Sequence, residues 1–487
     1  MKYTFTKSAT KNVDANFYLI FKDYKNDAIS NDALNIFEKI INKNNFKFNN
    51  TNSKTIYSEN ISDTFISLCE DKNKLTLEML KKSLSQIFKL AKTDNLKKIG
   101  IYVQENNFDK IHILKTIIEM YKYHSYDFDK FLSNKNPLKI EEIEIIGNYS
   151  ENDICYVNEA DYLGEMINKV RSLIDEPSNN LYPESFVNTT KEIFDNKNIK
   201  INVYDKEYCE KLGMNCFLAV SQGSIREPKL LVMKYTGNKD SKEILGLVGK
   251  GVTYDSGGYS IKTSGGMVTM KADMSGAATV VGTINAIANA NLKINVVAVC
   301  ALCENLISDR SYKPGDIFKS MNGKTVFIGN TDAEGRLTLI DAITYAIREE
   351  KVTKVIDIAT LTGAAVHALG TLCSAVMTNN QSFIDKFIKA SEYSCEYAWQ
   401  MPMLDVYRKD IKHHEADLVN TVSGVSGSPG TITAGMFLEE VVEEKDWIHV
   451  DFAGPAFLNS PKSFYNKGAT GHSVKTLYEL AKMLEEN

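Results

Sequence analysis

The chain has 487 residues, of which 43% are hydrophobic and 24% are charged, a balance typical of a soluble globular protein. Because a single hydrophobic core stops growing at roughly 250 to 300 residues, this length predicts two or three domains. The formal net charge of −5 at pH 7 supplies no general attraction to nucleic acid or to an anionic membrane surface, so neither is the expected partner.

Neither a secretory signal nor a membrane-spanning segment is predicted from the sequence. The first residues, Met1–Lys7, lead into polar sequence without the apolar core of roughly 7 to 15 residues that a signal peptide needs. The most apolar window, residues 355–377, is interrupted by Asp357 and His367, which is typical of a buried strand and helix. Eight cysteines at irregular spacing do not form a disulfide framework. We therefore expect a cytoplasmic protein.

Residues 1–155 are predicted to form an accessory domain of mixed helices and strands. Helical spacing over Thr76–Ala91 and a strand pattern over Lys98–Gln104 support this interpretation, and the region shows no cluster of reactive side chains. Residues 156–174 are predicted to form a connecting helix, because apolar residues recur there at helical spacing before Pro177 follows.

Residues 175–487 are predicted to form the catalytic domain. Apolar runs alternate there with helical patterns over Lys229–Met233, Ile244–Val248, Ala277–Ala290, Asn295–Leu302, Gly335–Ile347 and Val355–Ile358. This alternation predicts βαβ units, and hence an α/β fold with a mostly parallel central sheet flanked by helices. Sites in such sheets form outside the carboxyl ends of the strands. Four reactive residues follow predicted strands: Lys250 and Asp255 after Ile244–Val248, and Asp332 and Glu334 after Thr325–Ile328.

The segment Asn330–Arg336 combines two carboxylates and a guanidinium directly before an apolar helix, and a second reactive group lies upstream among glycines. The carboxylates of the two groups are Asp255, Asp273, Asp332 and Glu334. Brought together without compensation, they would repel one another and raise one another's pKa. Divalent cations remove this conflict, and shared carboxylates are typical of two ions about 3.5 to 4 Å apart. The residues therefore favour a two-metal hydrolase.

Three basic residues accompany the carboxylates. Lys250 allows two interpretations: a neutral amine that ligates a metal, with its pKa depressed by the ion, or an ammonium paired with carboxylates. The residues alone leave both interpretations open. Lys262 suits a charged donor that polarises a carbonyl oxygen, and Arg336 suits the binding of a small anion near the reacting water.

The same residues leave other function classes to be weighed. The glycines around Lys250 do not form a phosphate-binding loop, because Gly246–Gly251 is followed by Val252 instead of serine or threonine. The carboxylates alone would also permit a two-metal hydrolase of another bond, such as a phosphoester. A regulatory or nucleic-acid-binding protein on the same scaffold is a further alternative, against which the acidic composition counts.

Three segments, Val248–Lys262, Met270–Met274 and Asn330–Arg336, resemble the leucyl aminopeptidase (cytosol aminopeptidase) family of two-metal aminopeptidases. The run Asn-Thr-Asp-Ala-Glu-Gly-Arg is highly specific to that family. The resemblance continues through Asp357–Gly363 and Trp447–Ala456, whereas the first 150 residues resemble only the family's variable N-terminal domain.

The resemblance implies two divalent metal ions. Lys250, Asp255, Asp273 and Glu334 would ligate one tightly held ion, and Asp255, Asp332 and Glu334 would ligate a second, exchangeable ion. Lys250 would then act as a neutral amine. The ions would be zinc or manganese, with cobalt or magnesium as alternatives at the exchangeable site.

The resemblance also implies a reaction and a substrate. A hydroxide that bridges the ions would attack the scissile carbonyl, Lys262 would stabilise the oxyanion, and a bicarbonate held by Arg336 would act as general base. The pocket for the first side chain would be lined by Met270, Thr360, Thr362 and Ala453. The expected function is the release of leucine-like, neutral N-terminal residues from peptides by a homohexamer.

Overall fold

The computed structural model describes residues 1–24, 29, 31–42, 46–49, 52–57, 62–194, 196–421 and 428–485. The chain folds into two compact units: residues 1–168 with 462–465, and residues 169–461 with 466–487. One long helix, α4 (Ile154–Asp175), carries the chain across the boundary and contains the predicted connecting helix. No helix in the described ranges has both the length and the apolar character that crossing a membrane requires.

The first unit is built on a six-stranded sheet with the order β1-β6-β5-β2-β4-β3, in which β3 alone runs antiparallel to its neighbour. The strands are β1 (Lys2–Thr6), β2 (Ala15–Ile20), β3 (Ser53–Tyr57), β4 (Ser62–Ser67), β5 (Lys98–Val103) and β6 (Glu142–Ile146). The helices are α1 (Asn31–Asn42), α2 (Leu77–Thr93) and α3 (Lys110–Ser125). Helix α2 begins as predicted, because the Thr76 side chain accepts a hydrogen bond from Met79 N. The α/β prediction for this region is confirmed.

The second unit contains an eight-stranded sheet with the order β15-β14-β17-β13-β9-β10-β8-β7. Its strands are β7 (Ile199–Tyr204), β8 (Lys229–Thr236), β9 (Ile244–Asp255), β10 (Asn295–Asn305), β13 (Lys354–Ala359), β14 (Ser374–Thr378), β15 (Ala398–Gln400) and β17 (Asp446–Asp451). The four central strands, β17, β13, β9 and β10, are parallel, while β8 and β14 run antiparallel to them. The predicted parallel sheet is therefore confirmed at its centre, where the carboxyl ends of four strands meet.

Shorter strands and the helices complete the second unit. Two small sheets are formed by β11 (Ile317–Lys319), β12 (Thr325–Phe327) and β16 (Leu418–Val419), and by β18 (Phe457–Leu458) and β19 (Gly468–Ala469). The helices are α5 (Pro183–Ile193), α6 (Lys206–Lys211), α7 (Asn215–Ser221), α8 (Ser264–Met267), α9 (Ser275–Asn289), α10 (Gly335–Arg348), α11 (Gly363–Leu369), α12 (Gln381–Ser394), α13 (Gly430–Glu439) and α14 (Val474–Glu485).

Strand β9 differs from its prediction at the carboxyl end. The sequence interpretation ended this strand at Val248 and placed Lys250 and Asp255 after it, whereas the strand continues to Asp255. The reason is pairing, because β9 bonds to β10 along its whole length, up to the pair Asp255 and Asn305. Lys250 is therefore held by a central strand rather than by a loop.

Strand β12 also differs from the sequence interpretation. It precedes Asp332 and Glu334 as predicted, but it belongs to the small sheet with β11 and β16 and not to the central sheet. The two carboxylates therefore reach the strand ends of the central sheet from outside it, through the loop that leads into α10.

Helix α9 lies unusually close to the neighbouring strands β9 and β13, because Gly276 of α9 faces Ile358 of β13 and Gly249 of β9. A Cβ atom on Gly276 would lie 2.1 Å from the carbonyl oxygen of Ile358, and one on Gly249 would lie 2.5 Å from the carbonyl oxygen of Gly276. Real Cβ atoms do not approach other atoms so closely. The opposite face of β9 places Val248 and Val252 in the core that includes α10 residues such as Leu337. Lys250 is thus held between two closely packed helical layers.

We predict that Gly276→Ala destabilises the second unit by about 1 to 3 kcal/mol, because the added methyl group forces α9 away from the sheet. The matched control is Gly265→Ala, where the new Cβ meets nothing within 4 Å and the backbone has no positive φ. The melting temperatures of both variants, measured by calorimetry, show whether Gly276→Ala alone is destabilised. Equal melting temperatures for the two variants would contradict the close packing described above.

Candidate active site

Carboxylates from three separate segments converge at the carboxyl ends of the central strands. Asp255 ends β9, Asp273 follows a short 3-10 turn before α9, and Glu334 lies directly before α10. These three side chains each offer an oxygen within 4.8 Å of the others, and their residues are only 1–5% exposed. Asp332 is more accessible, with 33% of its side chain exposed. The structure therefore brings the four predicted carboxylates to one place.

Two lysines lie among the carboxylates. The Nζ atom of Lys250 is 2.8 Å from both Asp273 Oδ1 and Glu334 Oε1, and it donates a hydrogen bond to the Thr360 carbonyl at 3.0 Å. The Nζ atom of Lys262 is 2.7 Å from Asp255 Oδ2 and 2.5 Å from Asp332 Oδ1. Since four carboxylates face two ammonium groups, the cluster carries a formal excess of negative charge.

Burial and mutual repulsion set the protonation of the carboxylates. Burial raises the pKa of Asp273 well above its usual range, and burial together with the Asp255 charge raises the pKa of Glu334. Burial, followed by the charges of Asp255 and Glu334, raises the pKa of Asp332 to about 6. These shifts show that the metal-free site lacks positive charge.

The protonation of Lys250 depends on what else provides positive charge. Burial disfavours its ammonium, but the adjacent Asp273 and Glu334 carboxylates outweigh burial and raise the pKa of Lys250 above its ordinary value. Without metal ions Lys250 is therefore charged. A neutral amine would require cations that neutralise the same carboxylates.

The donor set fits divalent cations. Asp273 Oδ2 and Glu334 Oε2 are buried and have no hydrogen-bond donor among the described residues. Buried carboxylate oxygens are costly without a partner, and hard or borderline divalent ions prefer such ligands. The excess negative charge and the two unsatisfied oxygens together match a metal centre.

Arg336 lies at the start of α10 and is 7% exposed. Its Nη1 donates to the Asn420 carbonyl at 2.6 Å, while its Nε has no acceptor among the described residues. Burial lowers the pKa of Arg336 to about 10, with the charges of Glu334 and Asp451 acting in the opposite direction. Arg336 therefore remains a cation at neutral pH with one unused donor.

The carboxylates open into a cavity of about 400 Å³. The four residues predicted to form the substrate pocket, Met270, Thr360, Thr362 and Ala453, all line it. Further wall residues that the sequence interpretation did not name are Leu361, Gly363, Val366, Thr371, Gly454, Phe457 and Asn459. Among the predicted site residues, Arg336 alone is not part of the described lining. The wall away from the carboxylates bears no charged side chain among these residues.

Asp451 supports the pocket wall and was missed by sequence reasoning. Its Oδ1 accepts hydrogen bonds from Leu361 N at 3.1 Å and Ala453 N at 3.2 Å, and its Oδ2 accepts one from the Thr362 hydroxyl at 2.6 Å. Asp451 is the last residue of β17, so the rule that sites form at carboxyl ends of strands could have indicated it.

Asn420 holds the loop that carries Asp332 and Glu334, and it too was missed. Its Nδ2 donates to the carbonyls of Asn330 at 2.6 Å and Ala333 at 3.2 Å, while its Oδ1 accepts from the amide of Gly329 at 2.8 Å. A lone asparagine 90 residues downstream carries no sequence signal for this contact.

The histidines take no part in this site. His449 is fully buried on β17, where its Nδ1 lies 2.5 Å from Asp357 Oδ1. His413 stacks on Phe327 with 3.9 Å between ring centroids, and with the exposed His414 and Glu415 it forms a separate surface group. The candidate metal site thus consists of carboxylates and lysines rather than imidazoles.

Comparison with known proteins identifies the family. A family model described as the cytosol aminopeptidase family, catalytic domain, matches residues 168–478, well over half of the chain. The chain belongs to the cytosol aminopeptidase family. It is therefore assigned to a family of metal-dependent peptidases, and the family membership predicted from the sequence is confirmed.

Two curated relatives and one solved structure extend this match over the whole chain. The probable cytosol aminopeptidase of Clostridium perfringens is 44% identical over 471 residues, which cover 93% of this chain and 92% of the relative. The probable cytosol aminopeptidase of Clostridium tetani is 42% identical over 466 residues, which cover 94% of this chain and 96% of the relative. The bottromycin maturation enzyme BotP in complex with Mn superposes with a TM-score of 0.85 at 26% identity, covering 97% of this chain and 99% of that one.

We predict that the affinity for Mn²⁺ rises with pH between 5 and 8. Asp332, with its pKa of about 6, must release its proton before it can ligate an ion, and so must the ammonium of Lys250. Below pH 6 the affinity should fall by about tenfold per pH unit for each proton displaced. Calorimetric titration of chelator-treated protein at constant ionic strength measures this. Equal affinities at pH 5 and pH 8 would show that the carboxylates are already ionised.

Proposed function

We propose that this chain is a two-metal aminopeptidase that releases leucine-like, neutral N-terminal residues from peptides. The observation that carries the proposal is the convergence of Asp255, Asp273 and Glu334 within 4.8 Å at the base of a cavity. The membership of the cytosol aminopeptidase family supports the same conclusion. No contact in the structure favours a phosphoesterase or a nucleic-acid-binding role over this one.

The resemblance to the family implies which residues would hold the two ions, and the convergence of the carboxylates supports this assignment. Lys250, Asp255, Asp273 and Glu334 would hold the tightly bound ion, and the more accessible Asp332 would complete the exchangeable site with Asp255 and Glu334. We propose zinc or manganese in these sites, with cobalt or magnesium as alternatives in the exchangeable one. Bound there, the two ions would activate the attacking water and polarise the scissile carbonyl.

The protein's own cations would stabilise the charge that develops during peptide hydrolysis. The Lys262 side chain lines the cavity and is 18% exposed, and the surrounding carboxylates, above all Asp255, outweigh burial and raise its pKa. It is thus a charged donor that can bind the carbonyl oxygen as negative charge grows there. The unused Nε of Arg336 suits a bicarbonate ion that would accept a proton from the attacking water.

The cavity explains why a free N-terminus would be required. With both ions in place, the free amino group of the first residue would coordinate one of them through its nitrogen lone pair, whereas the amide nitrogen of an N-acetylated residue offers no such lone pair and the acetyl group adds bulk. The remaining wall is formed by small or apolar side chains such as Met270, Thr362 and Ala453. An uncharged first side chain can be buried there without leaving a charge unpaired.

We also propose a separate role for each of the two units. Every residue assigned to the reaction lies in the second unit, so we propose that residues 175–487 form the catalytic domain. Residues 1–155 would form an accessory domain, joined to it by the helix over residues 156–174. We further expect a homohexamer in the cytoplasm, and light scattering of the purified protein tests the subunit number.

We predict that chelator treatment abolishes cleavage of leucyl amide and that Mn²⁺ or Zn²⁺ restores it. The N-acetylated substrate should remain uncleaved, because its amide nitrogen cannot coordinate a metal ion as a free amino group would. Asp273→Asn and Glu334→Gln should remove the activity, because each replaces an ionised ligand by a neutral amide.

Asp405→Asn provides the matched control, because this carboxylate side chain is 89% exposed and lies in a different part of the same unit. It should retain full activity. The proposal would be contradicted if Asp273→Asn released leucine as fast as the unchanged protein. Cleavage of the acetylated substrate would contradict it as well.

We predict that Ala453→Leu shifts the preference from leucyl to alanyl amide, because the larger side chain fills the pocket for the first residue. The ratio of kcat/KM for leucyl over alanyl amide should fall on the order of tenfold to a hundredfold. Ala398→Leu on strand β15, outside the cavity lining, is the matched control. If Ala453→Leu leaves the ratio of kcat/KM for leucyl over alanyl amide unchanged, the side chain of the substrate's first residue does not bind next to Ala453.

A further inference from the structure

Strands β9 and β10 change register next to the carboxylates. Cys303 pairs with Val252, but the next residue, Glu304, pairs with Tyr254, so that Thr253 is an extra residue on β9. Because of this bulge, Asn305 lies beside Asp255, whereas continuous pairing would have placed it beside Tyr254. A bulge re-aims side chains in this way at the end of a strand.

The amide of Asn305 is fully buried and makes two directed hydrogen bonds. Its Nδ2 donates to Asp255 Oδ1 at 2.8 Å and to the Thr331 carbonyl at 3.0 Å. The first acceptor also accepts from Gly257 N and the second is a main-chain carbonyl, so the reverse orientation of the amide would place oxygen against oxygen. The Oδ1 atom of Asn305 has no donor among the described residues. The Asn305 side chain therefore acts here as a hydrogen-bond donor, through its two N–H groups.

The first of these hydrogen bonds fixes the rotation of the Asp255 carboxylate. Asp255 Oδ1 accepts from Asn305 and also from Gly257 N at 2.9 Å. Its Oδ2 is the oxygen that faces Lys262, at 2.7 Å. One oxygen is thus held by the protein framework, and the other is presented to the site.

The second hydrogen bond joins Asp255 to a distant part of the chain. Thr331 directly precedes Asp332 and lies three residues before Glu334, and its carbonyl also accepts from the buried Tyr312 hydroxyl at 2.7 Å. The main chain of Asn305 is anchored too, because its carbonyl accepts from Ser256 N at 3.0 Å. One amide therefore links the carboxylate at the end of β9 with the loop that carries two others.

We propose that Asn305 is a positioning residue of the metal centre, whose two N–H groups fix Asp255 against the Asp332–Glu334 loop and thereby set the affinity for the metal ions. This inference rests on the proposed function, because it takes these carboxylates as ligands. Partners that orient metal ligands in this way typically contribute 10- to 100-fold to metal affinity.

The test replaces Asn305 by leucine, which has a similar shape, no donor and no charge. The matched control is Asn295→Leu, at the other end of the same strand. Asn295 is also buried, and its Nδ2 likewise donates to two carbonyls, of Ser241 at 3.1 Å and Glu243 at 3.2 Å. Asn305→Ser, which retains one donor, is a milder variant for the case that leucine prevents folding.

The measurement is the dissociation constant for Mn²⁺ of the chelator-treated full-length protein, together with its melting temperature without metal. We expect the dissociation constant to rise about 10- to 100-fold in Asn305→Leu and less in Asn305→Ser, with none of this change in Asn295→Leu. Both leucine variants should melt at lower temperature. Melting alone therefore does not distinguish a positioning role from a structural one, but the metal affinity does.

Unchanged Mn²⁺ affinity in both Asn305 variants would overturn this inference, and so would an equal loss of affinity in Asn295→Leu. Failure of the proposed function has a different signature: the unchanged protein would then bind no Mn²⁺, or it would bind Mn²⁺ without cleaving leucyl amide, and the second result leaves the role of Asn305 intact. If the unchanged protein binds Mn²⁺ and only the Asn305 variants bind it weakly, the amide positions the ligands.

Discussion

The repulsion between four carboxylates in one largely buried place is the constraint on which the rest of this structure depends. Three of them are at most 5% exposed, and only two lysine ammonium groups stand among them. In water such charges would separate, but here they are attached to three separate segments of the fold. The raised pKa values of Asp273 and Glu334 and the two oxygens without donors among the described residues indicate the same deficit of positive charge. Divalent ions would correct that deficit and supply the chemistry of peptide hydrolysis.

A scaffold that holds like charges together has to resist their separation. The parallel strands β9, β13 and β17 bring their carboxyl ends to one edge, and the glycine contact between α9 and β9 leaves little room for movement. Further side chains complete the framework through hydrogen bonds. Asn305 and Asn420 hold the loop before α10 through their amides, and Asp451 holds the pocket wall. These contacts add no positive charge, so the need for metal ions is preserved while the geometry is maintained.

The reactive groups could be predicted from the sequence, because their residue types and spacing are unusual. The segment Asn330–Arg336 and the lysines among glycines indicated a metal centre without any knowledge of distance. Other features had no such signal. The extension of β9 through Lys250 depends on pairing with β10, and the small sheet that contains β12 depends on contact with the remote strand β16. Asparagine is common in this chain, so nothing distinguishes Asn305 or Asn420 until the strands and loops have come together.

The sequence by itself determined which chemistry is available: four carboxylates, two lysines and an arginine, set at the ends of apolar runs that form an α/β fold. It also determined the family, through motifs whose residues are adjacent in the chain. Only the tertiary structure decided which oxygens lack donors among the described residues, which wall residues surround the cavity, and which amides orient the carboxylates. The physical reason is that these properties depend on strand register and on contacts between residues far apart in the chain, whereas charge and periodicity are local.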